Sequence, residues 1–116
     1  MIQFSEDKTE SLFGRRTFVA REDGRTVGVG TLTLIGRTVT ITADKADKPS
    51  AKDFLLRGLL NVLADCRGLS VTLSRDTAEF FGDYAYLSGF GFTKTLGGAY
   101  EVNAENITLK GACKHT

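Results

Sequence analysis

Apolar and polar residues alternate along three successive stretches of the chain, and then crowd round a fourth. In RRTFVARED, residues 15–23, Phe18 and Ala20 fall on one side and Val19 on the other, the period-two pattern of a strand. RTVGVGTLTLI, residues 25–35, changes phase partway. Val27 and Val29 occupy odd positions, Leu32 and Leu34 even ones. One regular strand cannot keep both sets on one face, so a bulge is expected near Gly28 or Gly30. RTVTITA, residues 37–43, alternates cleanly, with Val39, Ile41 and Ala43 opposite Thr38, Thr40 and Thr42. Asp23-Gly24 and Gly36-Arg37 supply the turns, glycine taking the positive φ that a tight hairpin needs. Three strands in an antiparallel meander follow from this punctuation.

The next stretch has a helical period. Phe54, Leu55, Leu56, Leu59, Leu60, Val62, Leu63 and Cys66 cover most of a helix circumference, so this helix is buried. Ser50 followed by Asp53 reads as a capping-box start with Pro49 just outside. Arg67-Gly68 ends the helix. LSVTLS, residues 69–74, is another strand, and strand–helix–strand makes a crossover with parallel strands. A second helix is expected from Thr77 to about Leu87, with Phe80, Phe81, Tyr84 and Leu87 at helical spacing. Strands are expected around GGAYEVN, residues 97–103, and ITLKG, residues 107–111. Polar residues 5–11 read as a loose lead-in. The predicted order is β-β-β-α-β-α-β-β.

The chain has 116 residues, which suits a single domain over 1–116. Its 41% apolar and 25% charged residues are those of an ordinary globular protein. A net charge of +1, with basic residues scattered among acids, argues against nucleic acid and against an anionic membrane surface. No apolar run approaches the roughly 20 residues that cross a bilayer. The start of the chain is polar, without a secretory leader, so a cytoplasmic location is expected. Cys66 and Cys113 make neither a metal pair nor a disulfide framework, and no metal is expected. Cys113-Lys114-His115 lacks a set of ligands that can face one ion. P-loop, nucleophile-elbow and dinucleotide motifs are all missing.

The segments TVTITADKADKPSAKDFLLRGLLNVLADCRGLSVTL and FFGDYAYLSGFGFTKTLGGAYEV, in this order, resemble the later part of the GNAT N-acetyltransferase superfamily. The likeness covers roughly residues 15–102. It implies an α+β, three-layer fold with a mixed sheet: an antiparallel meander, a βαβ crossover, a second helix and a C-terminal strand or hairpin. It implies acetyl-CoA as cosubstrate and a small amine as acceptor, in a protein of bacterial character. The pantetheine arm would lie along Val39, Ile41, Thr42 and Ala43. The pyrophosphate would meet the turn at 47–53, through Lys48, Ser50, Ala51, Lys52 and Asp53. Tyr84 and Tyr86 would be the candidates for protonating the thiolate.

Two departures from the family pattern stand out. Only about ten residues precede RRTFVARED, where the family places two helices that wall the acceptor site. The family's glycine-rich pyrophosphate turn is also missing, its glycine positions falling near Ser50 and Lys52. The turn is therefore either a divergent anion site, charged by Lys48 and Lys52, or simply a helix start that binds nothing. No general base emerges: Glu22 and Asp44 end strands, and His115 has no partner. Two functions follow from the resemblance. One is an acetyltransferase. The other is a catalytically inactive GNAT-fold module acting through a partner. Either way an uncovered sheet face predicts a homodimer.

Overall fold

A computed structural model describes residues 1–9, 11 and 14–109. Seven strands form one sheet: β1 (Ile2–Glu6), β2 (Arg15–Glu22), β3 (Arg25–Ile35), β4 (Thr38–Ala46), β5 (Ser70–Leu73), β6 (Thr93–Lys94) and β7 (Tyr100–Asn103). Their order across the sheet is β1-β2-β3-β4-β5-β7-β6. The β4–β5 pair is parallel and its neighbours are antiparallel. Helix α1 (Pro49–Leu63) links β4 to β5. Helices α2 (Arg75–Phe81) and α3 (Tyr84–Ser88) follow β5, and a 3-10 turn (Ala104–Asn106) follows β7. The mixed sheet, the meander and the crossover are those expected from the sequence. No helix among the described residues is long and apolar enough to cross a membrane.

The first strand departs from expectation. The lead-in is in part β1, paired in register with β2 from Ile2↔Glu22 to Glu6↔Phe18. Its apolar residues are few, but they alternate: Phe4 stacks on Phe18 with ring centroids 5.3 Å apart and meets Phe54 of α1 edge-on at 6.4 Å.

The phase change in β3 is resolved by two irregularities. Ala20 pairs with Gly28 and Arg21 with Thr26, leaving Val27 as an extra residue on β3. Val29 pairs with Lys45 and Gly30 with Ala43, leaving position 44 as an extra residue on β4. Val27 is thereby buried beside the even-numbered positions that face α1. Against that face α1 lays Leu55, Leu56, Leu59 and Leu60, all fully buried. Each contributes about 1.5–3 kcal/mol of hydrophobic stabilisation. The approach is close because β3 has glycine there. A Cβ on Gly30 would lie 2.8 Å from the Leu59 side chain.

Two helix boundaries also differ. Lys48, in an extended conformation, is the N-cap of α1, Pro49 occupies the first turn, and no side chain caps the start. Ser50 is therefore inside the helix and not its cap. Pro49 suits that place, since its missing N–H is one that a first turn leaves unpaired. The single helix expected over 77–87 is two. The Ser74 hydroxyl caps α2 by accepting from the Thr77 N–H at 3.3 Å. The Asp83 carboxylate caps α3 by accepting from the Tyr86 N–H at 2.9 Å. A second cap in mid-segment starts a new helix. Near the C-terminus, Ile107–Leu109 is not a strand; the Thr108 N–H bonds the Phe90 carbonyl at 2.9 Å. Residues 110–111 of the expected strand, with Cys113 and His115, lie outside the described residues.

Helix α1 packs on the face of the sheet that carries Phe18, Ala20, Leu32 and Ile41. The opposite face carries Val19 beside Val29 but is otherwise largely polar. Cross-strand registers put Thr17, Thr31 and Thr42 in one row, Thr33, Thr40 and Thr72 in a second, and Thr38 beside Ser70 in a third. Threonine keeps the β-branched shape that suits a strand and offers water a hydroxyl. Part of this face is covered, since Val19 is 4% and Thr17 8% exposed, and the rest of it carries hydroxyls.

Candidate functional site

β4 and β5 run together only from Thr38↔Ser70 to Ile41↔Leu73. There β5 ends and turns into α2, while β4 continues with β3, bent by its extra residue. The two parallel strands thus part at their carboxyl ends, where open sheets place ligands. A cleft of about 400 Å³ opens at the parting. Thr42 and Ala43 line it from β4, Val29 and Thr31 from β3, and Asp76, Thr77 and Phe80 from α2.

The expected site residues divide between this cleft and other places. Thr42 and Ala43 are in it. Val39 and Ile41 are core residues, 3% and 0% exposed, with backbones paired on both sides. Only the end of β4 beyond Ile41 is therefore free of β5. Ala51 is fully buried at the start of α1. Ser50 is exposed in the first turn. The Ala51 and Lys52 N–H groups both bond the Lys48 carbonyl, at 3.0 and 3.1 Å, and the Ser50 N–H is outside that pattern. An outward N–H and the positive end of a helix dipole remain there without glycine.

The two lysines are directed differently. Lys48 turns to β2 and pairs with Glu22 at 2.7 Å, which holds the Glu22 carboxyl below the usual carboxylate range. Lys52 leans toward the cleft, its ammonium 4.6 Å from the centre of the Phe80 ring. Asp53 faces neither. It accepts a 2.6 Å hydrogen bond from the Tyr86 hydroxyl and a 2.8 Å bond from Arg57 Nε. Burial first, and then the bond to Asp53, push the Tyr86 phenol well above its ordinary value. Tyr84 is exposed and tilts against Tyr100, ring centroids 6.4 Å apart. Neither tyrosine is among the described residues lining the cleft.

Reading the sequence alone misses Asp76, Thr77, Phe80, Val29 and Thr31. A signal for the first three was present. Ser74 at the end of a parallel strand, three residues before Thr77, marks a helix start at a strand's carboxyl end, and the residues just after it face the parting of the sheet.

No family model matches the chain, and no curated protein matches it in sequence. Solved structures do resemble it. It is similar to the ribosomal-protein-S18-alanine N-acetyltransferase of Escherichia coli, with a TM-score of 0.63 and 12% identity over 94% of this chain and 100% of that one. It is similar to an N-acetyltransferase of Staphylococcus aureus Mu50, with a TM-score of 0.60 and 12% identity over 90% of this chain and 98% of the other. It is also similar to the PaiA N-acetyltransferase of Thermoplasma acidophilum, solved in complex with coenzyme A. There the TM-score is 0.55 and the identity 19%, over 78% of this chain and 61% of the other. The likeness to these structures over nine-tenths of the chain, with the mixed sheet described above, makes this the GNAT N-acetyltransferase fold.

Proposed function

We propose that the chain binds acetyl-CoA where β4 and β5 part and transfers the acetyl group to a small amine in the cytoplasm. One observation carries the reading: the parting has left an open cleft beside the N-terminus of α1. Phe54, in α1, packs against Phe4 and is not among the described residues lining the cleft.

In this reading the pantetheine arm pairs with the β4 backbone at Thr42 and Ala43, the part of the strand released by β5. The pyrophosphate meets the Ser50 N–H and the start of α1, with Lys52 as the counter-charge. The amine nitrogen attacks the thioester carbonyl carbon and the C–S bond breaks. The amine gives up a proton to water, and the thiolate takes one. Tyr86 is already donating to Asp53, so the thiolate draws its proton from solvent in the open cleft. The homodimer belongs to the same proposal, but not through the hydroxyl face. Its route is the outer edge of β1, which has no partner strand among the described residues.

A second reading is a module that does no chemistry. The engagement of Tyr86 with Asp53 and of Lys48 with Glu22 favours it. Calorimetry with acetyl-CoA and CoA separates the two. Micromolar binding, weakened about tenfold in Lys52→Glu, supports the enzyme, tenfold being 1.4 kcal/mol and well within one charge reversal. Absence of heat up to millimolar ligand supports the module.

A further inference from the structure

We infer that two copies of the chain join β1 to β1, antiparallel and centred on Phe4, so that one sheet runs on through the dimer. The inference rests on the homodimer proposed above and supplies its pairing.

The direction of the backbone groups carries it. β1 pairs with β2 without a shift, from Ile2↔Glu22 to Glu6↔Phe18. The same register reaches Asp7 and Thr17, where the Asp7 N–H bonds the Thr17 carbonyl at 2.8 Å. In an antiparallel ladder, residues that exchange bonds alternate with residues that do not. Ser5 and Gln3, stepping back from Asp7 by twos, therefore turn their N–H and C=O groups to β2. Ile2, Phe4 and Glu6 turn theirs outward, where the described residues include no partner strand.

This edge is unguarded. Ile2–Glu6 holds no proline, glycine or lysine, and its one charge, on Glu6, is engaged by Arg16 at 2.9 Å. The opposite edge, β6, is only Thr93–Lys94 and ends in a lysine. Short strands and lysines are how sheets keep their edges from pairing. Beside the open groups of β1 lie Ile2, Phe4 and Phe54, apolar and only partly buried.

The residues of β1 select a second copy and fix the register. A two-fold axis normal to the sheet sets a strand antiparallel to itself. With the axis at Phe4, the two Phe4 residues meet, Ile2 meets Glu6 of the second copy, and every outward group has a partner. An axis at Gln3 leaves Glu6 out of the pairing, and one at Ser5 leaves out Ile2. An axis at Glu6 opposes two carboxylates. On the other face, Gln3 then lies opposite Ser5 of the second copy, at a position without backbone bonds where Cα atoms come within about 4.5 Å.

The test is disulfide mapping in a chain with Cys66 and Cys113 replaced by alanine. Gln3 and Ser5 are exposed, so cysteine is tolerated at either. Gln3→Cys and Ser5→Cys should cross-link when mixed and oxidised, and neither should cross-link alone. Ile2→Pro removes an outward N–H and leaves the β1–β2 ladder whole, so the dimer dissociation constant from sedimentation should rise about tenfold. Cross-linking of either cysteine chain alone, as fast as the mixture, overturns the inference, as does unchanged association of Ile2→Pro. A dimer that yields no cross-link overturns it and leaves the homodimer to another surface. A chain that sediments as a monomer at high micromolar concentration overturns both, and CoA calorimetry on that sample still decides the acetyl-transfer reading by itself.

Discussion

The phenol of Tyr86 donates a 2.6 Å hydrogen bond to the carboxylate of Asp53, tying α3 to the first turns of α1. Arg57 braces the same carboxylate at 2.8 Å and lays its guanidinium over Phe90, 5.0 Å from the ring centre. The charge of Asp53 is thus neutralised inside the helix layer, and it does not face the cleft.

Tyr86→Phe should therefore act on stability first. Loss of a hydrogen bond to a charged acceptor costs about 1.5 kcal/mol at a half-buried site, read as a lower urea midpoint. The alkaline limb has a definite sign. The folded phenol ionises above its ordinary value of 10.0, so its contribution is complete below that pH and is lost as pH rises past it. A 295 nm alkaline titration of the native chain should show a late component that Tyr86→Phe removes. Superimposable high-pH limbs in the two proteins would contradict the bond.

Gly58 reports how closely α1 sits on β1. A Cβ there would lie 2.6 Å from the Phe4 ring, which is itself stacked on Phe18. Gly58→Ala gains about 1 kcal/mol of helix propensity but loses about 1–3 kcal/mol to overpacking. The net expectation is destabilisation, with faster hydrogen exchange confined to β1. A stabilised variant would mean that β1 is not held against the helix.

The hydroxyl face makes an association prediction. Replacing Thr33, Thr40 and Thr72 by Val keeps the strand shape and turns one cross-strand row apolar. Folding stability should rise, by up to about 1 kcal/mol on β-propensity grounds. The variant should also sediment as larger species than the native chain at equal concentration, because it exposes an apolar patch. Unchanged sedimentation would mean that the row is already covered.

The sequence disclosed what depends on neighbours in the chain. Val39, Ile41 and Ala43 against Thr38, Thr40 and Thr42 revealed β4 and both of its faces, because alternation is a local property. The packed leucines from Leu55 to Leu63 revealed α1 for the same reason. β1 was hidden, since Ile2 and Phe4 become a strand only against Phe18 and Gly58. The role of Asp53 was hidden too. Its place after Ser50 suggested a cap, yet its partner Tyr86 lies 33 residues away. The cleft was half legible. Thr42 and Ala43 followed from the family resemblance, whereas Asp76 and Phe80 depend on where β5 stops and α2 turns.

Glu22 sets the last prediction, because it holds Lys48 away from the helix start. The pair spans 2.7 Å, and Lys48 is itself the N-cap residue of α1. Glu22→Gln frees an ammonium two residues before the proposed phosphate contact at the Ser50 N–H. CoA affinity should then rise about threefold at low ionic strength, and the gain should fade in concentrated salt as screening shortens the reach of the charge. Acid should act in the same direction on the native chain. The Glu22 carboxyl titrates below its ordinary value of 4.5, so the pair is intact above that pH and is lost as pH falls through the lower folded value. Calorimetry of both proteins at low and high salt checks this. Weaker CoA binding in Glu22→Gln would show that the ion pair holds the turn in its binding shape instead of withholding a charge from it.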